Sequence, residues 1–294
     1  MLGEVLTAIV TPFRSDGAVD LDAFRRLCVH LVDTGSDGVV VAGTTGEAPT
    51  LTDDERLSLF AAAVESVGDR ATIVAGTGTY STAHSVHLTG EAHELGVDAI
   101  LVVTPYYNKP PPRGIVAHFR AIAEATDRPI VVYNIPQRVV VNIEPETLAE
   151  LAEIPNVRAV KQATTDPEQA RRILAETDLA LYAGNDELLL PFLELGGVGG
   201  ILVYTHVVGR QVRELVTRFR DGDVEGARAI DADLRPVIEA LAVATNPIPV
   251  KAALAMLGHE VGGLRLPLVE ATEEEKAVVR EALEQAGVLA GARA

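Results

Sequence analysis

The first apolar stretch of the chain, LTAIVTPFRSDG (residues 6–17), decides which parallel-sheet fold the sequence predicts. It is rich in β-branched residues and ends in a polar turn, as a buried strand does. An open, doubly wound sheet usually carries a glycine-rich G-x-G-x-x-G turn after its first strand, where the turn binds phosphate groups. No such motif follows this strand. A closed barrel is therefore favoured over the open sheet.

Seven further apolar runs follow, and segments of helical periodicity separate them. The predicted strands after the first one are GVVVAG (38–43), TIVAGT (72–77), AILVVTP (99–105), PIVVYNI (129–135), RAVKQA (158–163), LALYAG (179–184) and GILVYT (200–205). Strands that alternate with helices in this way predict an α/β fold, the (β/α)8 TIM barrel. After about residue 222 only helical patterns continue. We therefore predict a barrel over residues 1–222 and a C-terminal helical extension over residues 223–294.

Charge and composition exclude several classes of function. The net charge of −17 and the pI of about 4.8 disfavour binding to nucleic acids or anionic membranes. No apolar window approaches the length of a membrane span, and the N-terminal apolar run has Glu4 before it and no basic residue. The single cysteine, Cys28, cannot form an intrachain disulfide. We expect a cytoplasmic protein with no membrane or nucleic-acid partner.

The active site of a TIM barrel forms at the C-terminal ends of the strands, so the residues there belong to one candidate site. Most of them carry hydroxyl or amide groups, and only one is an amine. They are Thr44, Thr45, Gly76, Thr77, Gly78, Tyr106, Tyr107, Tyr133, Arg138, Lys161, Asn185, Asp186 and Thr205.

Lys161 lies in the middle of a predicted buried strand, VRAVKQAT (157–164), and is the only one of the four lysines in a strand. A buried lysine can lose its proton, because burial disfavours the charged form, whereas an arginine cannot. A neutral amine can attack a carbonyl carbon and form a Schiff base. The alternative is an ion-paired lysine whose ammonium group reaches solvent near the strand end.

The other side chains at the strand ends suit a small substrate with carboxylate groups. Tyr107 and Tyr133 could donate or accept a proton, or they could simply pack in the core. Arg138 could bind a carboxylate through two hydrogen bonds, or it could be a solvated loop residue. The motif GTTGE (43–47) offers the hydroxyls of Thr44 and Thr45 and backbone donors to a small carboxylate.

The sequence contains no recognisable metal motif. His84, His87 and His93 lie in one predicted helix, but no cysteine or acidic residue completes a zinc-binding pattern. We expect neither a metal site nor a cofactor.

Six motifs together resemble the dihydrodipicolinate synthase and N-acetylneuraminate lyase family: GTTGE, TPYYNKP, YNIPQR, VKQAT, AGND and NPIPVK. The similarity extends from TAIVTPF to RLPL, nearly the whole chain. It implies a TIM barrel and a class I, Schiff-base lyase. Within the family the chain most resembles the members that condense pyruvate with L-aspartate 4-semialdehyde in lysine and diaminopimelate biosynthesis.

The resemblance implies a role for each matching residue. Lys161 would form the Schiff base with pyruvate, and Tyr133 would move protons as an acid and base. A proton relay would run from Tyr133 through Thr45 to Tyr107, and that last tyrosine would come from the partner subunit.

The resemblance also implies how substrates are held and how subunits assemble. Thr44 and Thr45 would hold the pyruvate carboxylate, and Arg138 would hold the carboxylate of the semialdehyde. The backbone carbonyl of Ile201 would lie near the catalytic lysine. The implied assembly is a homotetramer, built as a dimer of dimers.

Two segments depart from the family pattern and leave an alternative function open. Val139 and Val140 replace small or hydroxyl-bearing residues, and LVYTH (202–206) replaces a Ser-Val pattern followed by an Asn. These changes favour a paralogue that acts on a sugar acid or another 2-oxo acid. Arg138 argues against it, because sialic-acid lyases typically lack an arginine in that loop. The intact lysine, tyrosine and threonine set argues against a barrel without catalytic activity.

A final expectation concerns inhibition by lysine. Relatives that lysine inhibits bind it with an Asn and a Glu, in the segment that corresponds to residues 80–84, and with a nearby His. Here the matching residues are Tyr80, His84 and Arg56. None of them supplies a negative charge for the cationic amine. We therefore predict weak inhibition by lysine or none.

Overall fold

The computed structural model describes residues 2–290 and shows a closed barrel of eight parallel strands in the order of the sequence. The (β/α)8 prediction is confirmed. The strands are β1 (Val5–Ala8), β2 (Gly38–Val41), β3 (Thr72–Gly76), β4 (Ala99–Val103), β5 (Ile130–Asn134), β6 (Val157–Gln162), β7 (Ala180–Ala183) and β8 (Gly199–Leu202). The barrel closes through parallel pairing of β1 with β8.

Helices surround the barrel and continue beyond it. They are α1 (Leu21–Asp33), α2 (Asp53–Val67), α3 (Thr82–Glu94), α4 (Pro112–Ala123), α5 (Pro136–Val139), α6 (Pro145–Ala152), α7 (Pro167–Glu176), α8 (Leu189–Leu195), α9 (Thr205–Arg220), α10 (Val224–Leu241), α11 (Ile248–Met256) and α12 (Glu273–Gln285). No helix within residues 2–290 combines the length and the apolar character that crossing a membrane requires.

The alternation of side chains along β6 aims the lysine into the barrel. Ala159 and Ala163 belong to the apolar cluster inside the barrel, whereas Val160 packs in the cluster between strands and helices. Successive residues of a strand face opposite sides, so Lys161 faces inward with the two alanines. The register of the sheet places it beside Tyr133 of β5. Two residues of the candidate site are therefore neighbours through strand pairing alone.

The eighth strand is shorter than the sequence predicts. β8 ends at Leu202, and α9 begins at Thr205, so the last three residues of the predicted strand GILVYT lie outside it. The carboxylate of Asp186 accepts hydrogen bonds from the backbone N–H groups of Val203 and Tyr204, at 2.8 and 2.9 Å. Backbone donors that bond to a side chain are not available to a neighbouring strand. This contact accounts for the early end of β8.

The helices after residue 222 pack on one another and on the barrel. α10 contacts α9, and α12 contacts both α10 and α11. The turn between α10 and α11 contains Asn246, which reaches the C-terminal end of the barrel. The boundary between barrel and extension at residue 222 stays a prediction.

Candidate active site

A cavity of about 370 Å3 opens at the C-terminal ends of the strands and brings together seven of the strand-end residues predicted for the site. These seven are Thr44, Thr45, Tyr133, Arg138, Lys161, Asn185 and Asp186. A second cavity of about 320 Å3 shares three of them and also contacts Arg56 and Tyr106. The shared residues, Thr44, Tyr133 and Arg138, show that the two cavities adjoin.

Lys161 is buried and forms no ion pair with any residue that the structure describes. Its exposed fraction is 5%, and Nζ lies 4.2 Å from the centroid of the Tyr133 ring. Within residues 2–290, Nζ makes no salt bridge and no hydrogen bond. A carboxylate partner would stabilise the ammonium form, and an aromatic ring holds the group in place far more weakly. The Lys161 amine is therefore available to react with a molecule in the cavity.

Lys251, the other buried lysine, has a different environment. Its Nζ lies 2.7 Å from Oε1 of Glu47 and donates to the carbonyl oxygen of Gly263 at 2.7 Å. Burial lowers the pKa of Lys251, and the nearby Glu47 carboxylate opposes that shift. Lys251 is held in an ion pair, so its amine is not available as a nucleophile.

The backbone of Tyr133 is fixed at the end of β5. Both the backbone N–H and the hydroxyl of Thr104 donate to its carbonyl oxygen, each at 3.0 Å. The next residue, Asn134, donates to the side chains of Asn142 and Gln162 and accepts from the N–H of Ile143. These contacts immobilise the strand end, so the phenol of Tyr133 approaches the cavity from a rigid support.

The loop after β2 places two hydroxyls at the cavity. Thr44 contacts both cavities, and Thr45 has an exposed fraction of 2%. The Asn246 side chain donates from Nδ2 to Oγ1 of Thr45 at 3.0 Å. Glu47, the last residue of the GTTGE motif, has a φ of +56° and pairs with Lys251. The C-terminal helices therefore hold both ends of this loop.

Arg138 stands at the rim of the cavity. It lies in the short helix α5, its side chain is exposed, and Nη2 donates to the carbonyl oxygen of Asn246 at 3.3 Å. Among the described residues, no carboxylate forms a salt bridge with it. The remaining N–H donors can bind a substrate carboxylate.

Asp186 lies in the same cavity and has an unusual environment. Burial raises the pKa of its carboxyl group to about 6, and the N–H donors of Val203 and Tyr204 oppose that shift, as does the charge of Lys161. The sequence predicted that Asp186 lies at a strand end, but it did not indicate a role for the residue. Its contacts indicate that it shapes the turn after β8 beside the lysine.

Two of the residues to which the resemblance assigns a role line neither cavity. Tyr107 is 89% exposed and has a φ of +66°. Such a backbone conformation costs about 1–3 kcal/mol in a residue other than glycine, and functional contacts are a common reason for it. Ile201 is fully buried in β8 and belongs to the apolar cluster inside the barrel together with Tyr133.

Most of the residues that depart from the family pattern face away from the cavity. Leu202 and Tyr204 pack in the cluster between strands and helices, and the Val140 side chain is 68% exposed. Only Val139, in the second cavity, and Val203, in the first, contact the site. The departures therefore change little of the surface that a substrate meets.

None of the three residues that match the lysine-binding positions of sensitive relatives is acidic: they are Tyr80, His84 and Arg56. Arg56 is buried and donates to the carbonyl oxygen of Ala48 at 2.7 Å, while its Nε and Nη1 find no partner within residues 2–290. His84 contacts the carboxylate of Asp53 at 2.8 and 2.9 Å. The ring of Tyr80 packs edge-on against a neighbouring tyrosine. Residues 2–290 contain no cluster of three or more acidic, histidine or cysteine side chains that could bind a metal.

One contact in the site could not be predicted as functional from its local sequence. Asn246 lies in the motif NPIPVK, where the Asn-Pro pair indicates a turn. Its hydrogen bond joins it to Thr45, which is 201 residues away. The only sign in the sequence that Asn246 belongs to the site was that its motif, NPIPVK, is part of the family pattern.

Comparisons with known proteins agree with this geometry. The model of the dihydrodipicolinate synthetase family matches residues 1–286. A curated protein from Moorella thermoacetica, named 4-hydroxy-tetrahydrodipicolinate synthase, is 52% identical over 98% of this chain and 99% of its own length. A protein of the same name from Desulforudis audaxviator is 49% identical over 98% of each chain.

A solved structure gives the same result. The enzyme from Cyanidioschyzon merolae, described as dihydrodipicolinate synthase with lysine bound, superposes with a TM-score of 0.96 at 44% identity, and the match covers 98% of this chain and 99% of that one. The family match, these identities and the shared barrel all span nearly the whole chain. The chain belongs to the dihydrodipicolinate synthetase family.

Proposed function

We propose that this protein condenses pyruvate with L-aspartate 4-semialdehyde to form 4-hydroxy-tetrahydrodipicolinate, through a Schiff base on Lys161. The observation that carries the proposal is the buried, unpaired amine of Lys161 in a cavity with Tyr133 and two threonine hydroxyls. Family membership and relatives named for this reaction support it. No metal or cofactor takes part.

The first step forms a covalent bond between enzyme and pyruvate. The neutral amine of Lys161 attacks C2 of pyruvate, the carbonyl oxygen leaves as water, and an imine forms. Tyr133 protonates the departing oxygen, because it lies beside Lys161 in the sheet and its ring centroid is 4.2 Å from the amine. Thr44 and Thr45 hold the pyruvate carboxylate through their hydroxyls.

The second step forms the new carbon–carbon bond. Loss of a proton from the methyl group converts the imine to an enamine, whose carbon attacks the aldehyde of the second substrate. The oxygen of the aldehyde takes up a proton as the bond forms. The relay of Tyr133, Thr45 and Tyr107 of a second subunit carries these protons.

The last step releases the lysine. The amino group of the second substrate attacks the imine carbon, the Lys161 amine leaves, and the product ring closes. The Arg138 guanidinium holds the carboxylate of that substrate at the cavity rim. A local cation of this kind is needed, because the chain carries a net charge of −17 and both substrates have a carboxylate group.

The relay requires a second copy of the chain. Tyr107 is almost fully exposed and lines neither cavity of its own chain, which supports the role in a neighbouring subunit's site that the resemblance implies. We therefore propose a dimer as the catalytic unit and a dimer of dimers as the full assembly. A cytoplasmic location fits this biosynthetic function and the buried free thiol of Cys28.

A steady-state assay tests the proposal. Pyruvate consumption is measured with L-aspartate 4-semialdehyde and with a panel of sugar aldehydes, and product is detected by coupling to the reductase of the lysine pathway. We expect the semialdehyde to give the highest kcat/KM and a product that the reductase consumes. Faster turnover of a sugar aldehyde would contradict the proposed acceptor and favour a sugar-acid lyase.

A further inference from the structure

The cavity that contains Lys161 also contains the carboxylates of Asp186 and Glu187, and neither takes part in the steps of the proposed reaction. Both residues lie between β7 and α8, and they line the cavity together with Arg138. Lys161 in the same cavity is buried and forms no ion pair within residues 2–290. The cavity lining therefore includes a guanidinium group and carboxylates around the reactive amine.

The Asp186 carboxylate already has a structural part. Its Oδ1 and Oδ2 accept from the backbone N–H groups of Val203 and Tyr204, at 2.8 and 2.9 Å, and these contacts fix the turn after β8. Burial raises the pKa of Asp186 to about 6, and the neighbouring charge of Glu187 adds to that rise. Asp186 is therefore less suited than Glu187 to pair with a charged group of a substrate.

Glu187 keeps a carboxylate oxygen available. Its Oε1 accepts from Nδ2 of Asn185 at 3.2 Å, which holds the side chain to its own turn. Within residues 2–290, Oε2 accepts no hydrogen bond, and no lysine or arginine forms a salt bridge with this carboxylate. Glu187 is half-buried. A carboxylate in such a position attracts a cationic group that enters the cavity, because solvent screens it less than it screens a fully exposed charge.

We infer that Glu187 is a specificity-determining residue that binds the ammonium group of the second substrate. The inference rests on the proposed function, because it assigns a partner to the amino group of the proposed acceptor. L-Aspartate 4-semialdehyde carries one carboxylate and one ammonium group at neutral pH. Arg138 binds the carboxylate and Glu187 binds the ammonium group, while the aldehyde faces the enamine on Lys161.

These three contacts select the acceptor. An aldehyde with a carboxylate but no amino group leaves the charge of Glu187 unpaired and brings a second negative charge near it. A neutral sugar aldehyde pairs with neither charged side chain. Three contacts also distinguish the L from the D configuration at the α-carbon, because exchanging two substituents moves one of them away from its partner. The contact with Glu187 acts as the acceptor binds, before the new carbon–carbon bond forms.

The substitution Glu187→Gln tests the inference, because it keeps the size of the side chain and an acceptor for Asn185 but removes the charge. We expect the KM for L-aspartate 4-semialdehyde to rise about tenfold, the low end of the range for a lost charge-assisted contact, since solvent partly screens a half-buried group. 4-Oxobutanoate, which lacks the amino group, is measured as a competitor of the semialdehyde. Its inhibition constant should stay the same or fall, because the variant no longer repels its carboxylate.

This split between two ligands is a signature that a structural role does not produce. The two molecules share the carbon chain, the aldehyde and the carboxylate, so a displaced turn would weaken the binding of both. The preference for the L over the D enantiomer of aspartate semialdehyde should also fall in Glu187→Gln. Glu187→Asp, which keeps the charge on a shorter side chain, should restore part of both preferences.

Glu144→Gln is the matched control. Glu144 also accepts from an asparagine two residues earlier in the chain, from Nδ2 of Asn142 at 2.9 Å, but it is exposed and lines neither cavity. We expect this variant to show parental constants for the semialdehyde and for 4-oxobutanoate. Circular dichroism checks that all variants are folded.

Each outcome decides the question. An unchanged KM for the semialdehyde in Glu187→Gln would overturn the inference. An equal loss of affinity for the semialdehyde and 4-oxobutanoate would indicate that Glu187 acts through the shape of the turn, and it would also overturn the inference. Both results leave the proposed function intact, because the parent protein still condenses pyruvate with the semialdehyde. A parent protein that does not do so would overturn the proposed function together with the inference.

Discussion

The buried ion pair between Lys251 and Glu47 should make an unusually large contribution to stability when only one partner is removed. The side chains are 2% and 0% exposed, and Nζ lies 2.7 Å from Oε1. Nζ also lies 4.3 Å from the centroid of the Phe13 ring, so Lys251→Met retains the stem against that ring and removes only the charge. The carboxylate of Glu47 then stays buried without its cation.

The expected loss of unfolding free energy follows from the buried charge of Glu47, which no longer has Lys251 as its partner. Breaking a buried ion pair by removing one partner typically costs about 3–5 kcal/mol of unfolding free energy, whereas removing both partners costs far less. We therefore expect Lys251→Met to lose about 3–5 kcal/mol. The double variant Glu47→Gln/Lys251→Met should recover a substantial part of that loss.

Urea unfolding at a fixed protein concentration measures both effects. Lys276→Met is the matched control, because Lys276 pairs with Glu273 at 2.9 Å on the surface, with side chains 33% and 86% exposed. A surface pair of this kind is worth about 0–1 kcal/mol. The reasoning is refuted if Lys251→Met costs no more than Lys276→Met, or if the double variant is as unstable as the sum of the single variants.

Three further predictions concern the site and its regulation. Arg138→Ala should raise the KM for the semialdehyde about ten- to a hundredfold and change that for pyruvate much less, since it removes a charge-assisted contact of about 1.5–3 kcal/mol; equal effects on both substrates would rule out this role. Mixing inactive Tyr107→Phe and Lys161→Ala proteins should restore activity once subunits exchange, and absence of rescue in mixed dimers verified by mass spectrometry would contradict a shared site. L-lysine should inhibit this protein at least about tenfold more weakly than it inhibits sensitive relatives, because Arg56 repels its amine and His84 offers no negative charge. Inhibition is measured by titrating L-lysine at subsaturating pyruvate. Half-inhibition at submillimolar lysine would show that other residues bind the lysine, and it would contradict the prediction.

Local patterns were sufficient to predict the barrel and the position of Lys161 inside it. Short β-branched runs and intervening helical periods require no knowledge of distant contacts, so the eight strands could be located in the sequence. The period of two along β6 then directs Lys161 inward. The family motifs identified Tyr133 and the two threonines, and the cavity contains all three.

Features that depend on distant contacts were not predictable in the same way. The end of β8 depends on the Asp186 carboxylate, which reaches across from the end of β7 to the N–H groups of Val203 and Tyr204. The contact of Asn246 with Thr45 joins the C-terminal helices to the second strand, and its local sequence indicates only a turn.

The position of Tyr107 in a working site depends on a second subunit. Its sequence neighbourhood places it at a strand end, and its own chain leaves it exposed. Neither fact identifies the surface that it meets. The family resemblance implies that Tyr107 meets the active site of the partner subunit, and the mixing experiment tests that implication.

The most direct test of the central claim is to trap the Schiff base. The protein is incubated with pyruvate and reduced with borohydride, and the modified residue is identified by peptide mass mapping. The account predicts one stable pyruvate adduct, located on Lys161, whose buried amine forms no ion pair within residues 2–290, and none on the Lys161→Ala variant. An adduct on Lys109 or Lys251, or equal labelling of the Lys161→Ala variant, would contradict it.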